Sequence, residues 1–276
     1  MTDRAASGAP HSASCRARRG ADAARVACVV SRVLVLLLAT AGPGTSRAAD
    51  CPLAPNALPG STTTVLMDSG VHSSWYEDPT DIYDHGIMGG VRDAATLRYR
   101  LTDGETCIDH AIPAGDGHVF EDTAPRLARL DADAIPEIVA VRSSLTRGAQ
   151  LAIYGLRGGR LTLLDATPPI GTRFRWLAPA AWQDLDGDGH VELAYVDRPH
   201  LARILRIWRW RAGVLEPVTE VAGVTNHAIG EERIGGFVRD CGRPEIVLLS
   251  ADRARHVGVT LEGGRAIPRE LGPATP

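Results

Sequence analysis

The sequence contains no lysine: all 30 of its basic residues are arginine. A phosphate-loop lysine, a Schiff-base lysine and a lysine general base are therefore excluded, and the arginines are most simply read as the product of a GC-rich coding sequence. The sequence also lacks G-x-S-x-G, H-E-x-x-H and C-x-x-C, the usual marks of serine hydrolases, zinc proteases and dithiol sites. Beyond the first 48 residues no stretch keeps a helical 3.6-residue period. What is there is a chain of 276 residues with 44% hydrophobic content, enough to bury a core as one or two domains.

The N-terminus reads as an export signal. Arg16, Arg18, Arg19, Arg25 and Arg32 precede the apolar run VLVLLLATAG at 33 to 42, which is too short to span a bilayer. SRA at 46 to 48 offers small residues for cleavage after Ala48, with a retained anchor as the alternative. Asp50 directly before Cys51 argues against a lipoprotein, and Arg18 and Arg19 lack the context of a twin-arginine signal. The expected route is general secretion to the periplasm or the medium, leaving one domain from 49 to 276. Loss of 1 to 48 removes seven arginines and two aspartates, moving the formal charge from −3 to −8. Such an acidic domain argues against a nucleic-acid or anionic-membrane partner, since both need a basic face. Of the five cysteines, Cys51, Cys107 and Cys241 remain, in an oxidising compartment. They allow one bridge: Cys51–Cys107 is favoured, and Cys51–Cys241 is the rival.

The chain repeats itself. RLDADAIPEIVAV (129 to 141), DLDGDGHVELAYV (184 to 196) and FVRDCGRPEIVLL (237 to 249) align, with an acid before each apolar run at Glu137, Glu192 and Glu245. LRYRLTDG (97 to 104), LAIYGLRG (151 to 158), LRIWRWRAG (205 to 213) and HVGVTLEGG (256 to 264) form a second register at the same period. Alternation, β-branched and aromatic residues, and Gly, Pro and Asp between the segments give them strand character. A unit of about 54 residues with about four short strands has the size of a propeller blade. The expected fold is all-β: a small propeller of four four-stranded antiparallel blades, or five if STTTVLMDSGVHSSWY (61 to 76) adds strands of its own.

In DLDGDGHVEL, Asp184, Asp186 and Asp188 alternate as hard-cation ligands do, and Gly189 at the sixth position permits the turn that gathers them. An EF-hand needs an acid at position twelve, where this chain has Tyr195; here the acid is Glu192 at position nine, followed by a strand. The motif resembles the FG-GAP or VCBS repeat of integrin-type β-propellers and of exported bacterial proteins, over roughly residues 75 to 265. GTRFRWLAP, DRPHL, RDCG and YEDPTDIYDHGIMGG (76 to 90) add to the likeness. The resemblance implies calcium held by the side chains of Asp184, Asp186, Asp188 and Glu192 and by the backbone carbonyl of His190. Glu192 stands where the family usually has Asp. The loop with Asp131, Asp133 and Glu137 has Arg129 at the first ligand position and Ala134 for the glycine, so it is expected to bind no metal or to bind weakly. Phe237, Arg239 and Cys241 take the three Asp positions of the last copy, which should bind nothing. Extracellular sites of this kind bind calcium with Kd of about 10⁻⁴ to 10⁻³ M, which suits a structural role.

The resemblance also implies that the loops before the first and after the second strand of each blade open on the face opposite the calcium hairpin. That face would gather Arg173, Trp176, Arg198, His200, His227 and Glu231, with Asp84 and His85 either capping it or lying on an irregular edge. Read as separate residues, the histidines are ordinary surface groups and the tryptophans blade-packing groups. Two functions follow. One is a non-catalytic module binding a protein, glycan or small ligand; the other is a hydrolase or lyase using His200, His227 and Glu231, with Arg173 and Arg198 on substrate oxygens. A close histidine pair within one metal's reach of an acid would favour the enzyme.

Overall fold

The computed structural model describes residues 51–274, so the signal-peptide reading of 1 to 48 lies outside the described residues. Those residues form eighteen strands and no helix, and every strand pair is antiparallel. They fall into four successive meanders. The first is β1 (Thr63–Met67), β2 (Gly70–Thr80), β3 (Asp93–Thr102) and β4 (Cys107–Pro113). The stretch 61 to 76 thus supplies the first two strands of this meander rather than a further unit. The second contains β5 (His118–Phe120), β6 (Arg126–Ala128), β7 (Glu137–Ser144), β8 (Gly148–Arg157) and β9 (Arg160–Ala166), with β5 and β6 both paired to β7. The third is β10 (Leu177–Gln183), β11 (Glu192–Asp197), β12 (Ile204–Arg211) and β13 (Val214–Ala222). The fourth holds β14 (Val224–Thr225), β15 (Phe237–Asp240), β16 (Pro244–Ser250), β17 (Arg255–Glu262) and β18 (Arg265–Pro273), with β14 and β15 both paired to β16.

Three of the hairpins turn in the same way. Gly158–Gly159, Ala212–Gly213 and Gly263–Gly264 are two-residue connections with positive φ at both positions, from 51° to 84°. That geometry matches the twist of the strands they join and is open to glycine at little cost.

Alternation along the inner strands builds three cores. Ile138 and Ala140 of β7 face Tyr76, Leu97, Tyr99 and Phe120 of the first meander and its neighbour. Val139 and Val141, on the other side of the same strand, face Trp176, Leu193, Tyr195 and Trp210. Val196 and Leu205 meet Ile246, Leu248 and Val259 of the fourth meander. Sheets covered on both faces read as continuous apolar runs, which is why β11 is buried along its whole length. The outer strand β4 is largely exposed, and β13 has no buried residue.

A single residue pair, Ala94 with Phe120, joins the first two meanders into one sheet. The sheets are not closed. The first and fourth meanders meet through loops: Gly230 N–H donates to the Ile87 carbonyl at 3.0 Å, and a Cβ on Gly89 would lie 2.7 Å from the Gly230 oxygen. Cys51 is bonded to Cys107, the favoured pairing, and this fastens the first described residue to the start of β4.

Candidate functional site

The acidic loop joins β10 to β11. Asp184 folds it by accepting backbone N–H groups of Gly187 (2.7 Å) and Gly189 (3.0 Å), both glycines at positive φ, and Asp188 accepts that of His190 (2.9 Å). One oxygen each of Asp184, Asp186 and Asp188 lie within 4.8 Å of one another, a group that could hold a metal ion. Three carboxylates suit a hard cation, and Oδ1 of Asp186 is buried without a hydrogen-bond partner.

Glu192 stands apart from this group. It is 0% exposed, and its Oε2 accepts the Leu185 N–H at 2.8 Å. Its Oε1 accepts from Nε of Arg209 at 2.6 Å. Arg209 sits directly opposite Glu192 in the β11–β12 register, and its two terminal nitrogens reach Asp186 (2.6 Å) and Asp188 (2.9 Å). A guanidinium is thus the positive group among the crowded acids. His190 contributes its N–H to the loop's own turn.

The same design recurs in weaker form. Glu137 accepts the Leu130 N–H at 3.2 Å and lies 4.0 Å from Arg157. Burial, then the charge of Asp131, pushes Glu137 up to about 7. Asp131 is engaged by Trp210 Nε1 (2.8 Å) and Arg157 (3.3 Å), and Asp133 by the Ile135 N–H (3.0 Å). In the last copy Glu245 pairs with Arg239 and Arg269. Glu137 and Glu192, ligand candidates in the sequence, and Glu245 are buried hairpin anchors, each with an arginine beside it.

At the other end of the strands four loops converge on a cavity of about 220 Å³. His85, Ile87, Phe174, Arg175, Trp176, Arg198, His200, Leu201 and Ile229 line it. The loop at 81–92 forms the cap, and Ile87 and Met88 sink from it into the core between the second and third meanders. Arg173 pins this loop rather than facing the cavity: it donates to the Tyr83 carbonyl (3.1 Å) and lies over the Phe174 ring, 4.5 Å from its centroid. Phe174 holds φ at +61°, a conformation disfavoured for a bulky residue, and its N–H donates to the Tyr83 hydroxyl at 2.8 Å. His85 stacks on Phe174 with ring centroids 5.0 Å apart.

Trp176 is a buried wall, donating Nε1–H to the Glu121 carbonyl at 2.9 Å and meeting His227 edge-on. His227 Nε2 lies 2.7 Å from the Glu231 carbonyl, which can only accept, so this nitrogen carries the proton. Its Nδ1 then accepts from His200 Nε2 at 3.3 Å. Burial, then the neighbouring His227, pushes His200 down to about 4, and burial lowers His227 as well. Both shifts favour the neutral form of the rings.

The histidines come together; the acid does not join them. Glu231 turns its carboxylate to the Ala228 N–H (2.7 Å) and to Arg253 (2.6 Å). Arg198 is clamped on the neighbouring Asp197, through Nε at 2.7 Å. Exposed Leu201, Ile229 and Phe174 complete the rim, and single-residue chemistry in the sequence gave no reason to select them. No known protein family matches this chain, and no curated protein matches it either.

Proposed function

We propose that this protein is an exported, non-catalytic binding module: a small propeller of four VCBS/FG-GAP-like repeats, with calcium at one end of the strands and a ligand at the other. The four meanders, stacked in chain order with loops returning from the fourth to the first, support the propeller. Asp184, Asp186 and Asp188 would hold calcium, which would offset their mutual repulsion and stiffen the β10–β11 hairpin. The cavity between His85, Phe174, Trp176 and His200 carries the binding reading. Its volume suits one side chain rather than a whole small-molecule ligand, and Leu201, Ile229 and Phe174 offer an apolar rim. The ligand is therefore a protein segment that inserts one apolar side chain. A hydrolase or lyase is less well supported, because the Glu231 carboxylate is held away from the histidine pair.

Saturation-transfer NMR with N-acetyl-leucinamide, N-acetyl-tryptophanamide and N-acetylglucosamine tests this. Transfer to the amino-acid side chains, lost in Leu201→Asp and Ile229→Asp, is the expected result. Transfer to the sugar alone, or transfer unchanged in both variants, would reject a peptide side chain as the occupant.

A further inference from the structure

Behind the cap loop lies a second, smaller cavity of about 110 Å³. Its wall carries Asp81, Asp84, Asp93 and Glu121, with Arg92 beside Asp81 and the glycines Gly86, Gly89 and Gly90 along the cap loop. The four acids are not equivalent. Asp81 is held by Arg92 through Nη2, at 2.7 and 2.8 Å. Glu121 gives one oxygen to His85 Nδ1 at 2.5 Å and the other to the Ser143 hydroxyl.

Asp93 is different. The residue is only 8% exposed, opens β3, and faces the cavity, yet no hydrogen bond or ion pair reaches its carboxylate from any described residue. Its charged neighbours Glu121, Asp84 and Asp81 all repel it. Asp84 is exposed at the same cavity, takes φ of +45°, and likewise has no side-chain partner. The Asp93 oxygens open onto the cavity among other acids, and a cation entering there would offset that repulsion.

We propose that this cavity holds a primary ammonium group, with Asp93 and Asp84 as its carboxylate partners. Directly coordinated metal fits less well. Among the described residues, three metal-ligating side-chain atoms come within 4.8 Å of one another at Asp184, Asp186 and Asp188, and not here. An ammonium is compact, presents three N–H donors, and tolerates a wider spacing of acceptors. The group could come from a free amine or from a lysine side chain of a polypeptide. This site is separate from the cavity at Trp176 and does not depend on the reading given to that one.

The experiment is thermal unfolding of the protein at pH 8.5 at one ionic strength, in methylammonium, sodium, tetramethylammonium or calcium chloride, with Nα-acetyl-lysine methylamide as a further probe. Methylammonium should raise Tm by about 3 °C or more over sodium once it exceeds its Kd roughly tenfold, while tetramethylammonium, too bulky and without donors, should not. A response to methylammonium alone identifies a free amine as the source, and one shared with the lysine probe a polypeptide. Asp93→Asn should raise Tm without ligand and abolish the response; the exposed Asp84→Asn should weaken it. No difference between methylammonium and sodium overturns the proposal. So does a response that survives in both variants, or a calcium response that depends on Asp93.

Discussion

Arg209 and Glu192 face each other across the β11–β12 pair, joined by a 2.6 Å bond from Nε to Oε1. From that position the same guanidinium reaches up to Asp186 and Asp188. One arginine therefore ties the buried base of the hairpin to its acidic tip. The loop's charge is balanced from within the protein, and any cation that enters the loop does so in competition with Arg209.

Removing the arginine should therefore be damaging. Arg209→Met leaves Glu192 buried without its cation, a loss of about 3–5 kcal/mol when one partner of a buried pair is deleted. Glu192→Gln keeps an acceptor for the Leu185 N–H and should cost less, and the double variant should recover part of the Arg209→Met loss. Urea unfolding of the three variants measures this. A loss below about 1 kcal/mol for Arg209→Met would mean that the pair behaves as an exposed one.

Calcium response follows from the same geometry. Chelator should lower Tm relative to saturating calcium, and Asp186→Ala should remove the difference, because it deletes both the unpartnered Oδ1 and the oxygen that Arg209 holds. In Arg209→Met the calcium-dependent rise should grow, since the competing guanidinium is gone. Were Tm insensitive to calcium in both the unaltered protein and Arg209→Met, the arginine would be the loop's cation and the proposed calcium would be withdrawn.

Much of this arrangement could be read in the sequence, and the part that could not has a plain cause. Strand alternation and glycine-bearing turns such as Gly158–Gly159 and Gly263–Gly264 are local, so the all-β character is legible before any contact is known. The Cys51–Cys107 bridge joins the two cysteines nearest each other in sequence among Cys51, Cys107 and Cys241. The anchoring role of Glu192 is not legible in the sequence, because a carboxylate ligand and a carboxylate anchor look alike in one dimension. What separates them is Arg209, placed by strand register rather than by proximity in sequence. Leu201 and Ile229 give no signal in the sequence because exposed apolar loop residues carry no chemistry singly. Asp93 gave no signal either: its meaning comes from burial without a partner, which only the folded chain creates.

Acid should expose the histidine pair. His200 is pushed down to about 4 in the folded chain, below the ordinary histidine value of 6.5 that it regains on unfolding. Between those values the unfolded chain binds the extra proton, so His200 contributes stability that is present above about 6.5 and is lost as pH falls towards 4. Asp93, raised to about 8, and Glu137, raised to about 7, act in the opposite sense, since their protonated forms are the ones burial favours. The bare pH profile therefore mixes both slopes, and the informative quantity is the difference between the protein and His200→Gln. Urea midpoints at pH 7 and pH 5 should fall further in the unaltered protein than in the variant, by about 1 kcal/mol for a group partly open to solvent. Equal losses would mean that His200 titrates as it does in the unfolded chain and that the neutral contact with His227 does not persist in solution.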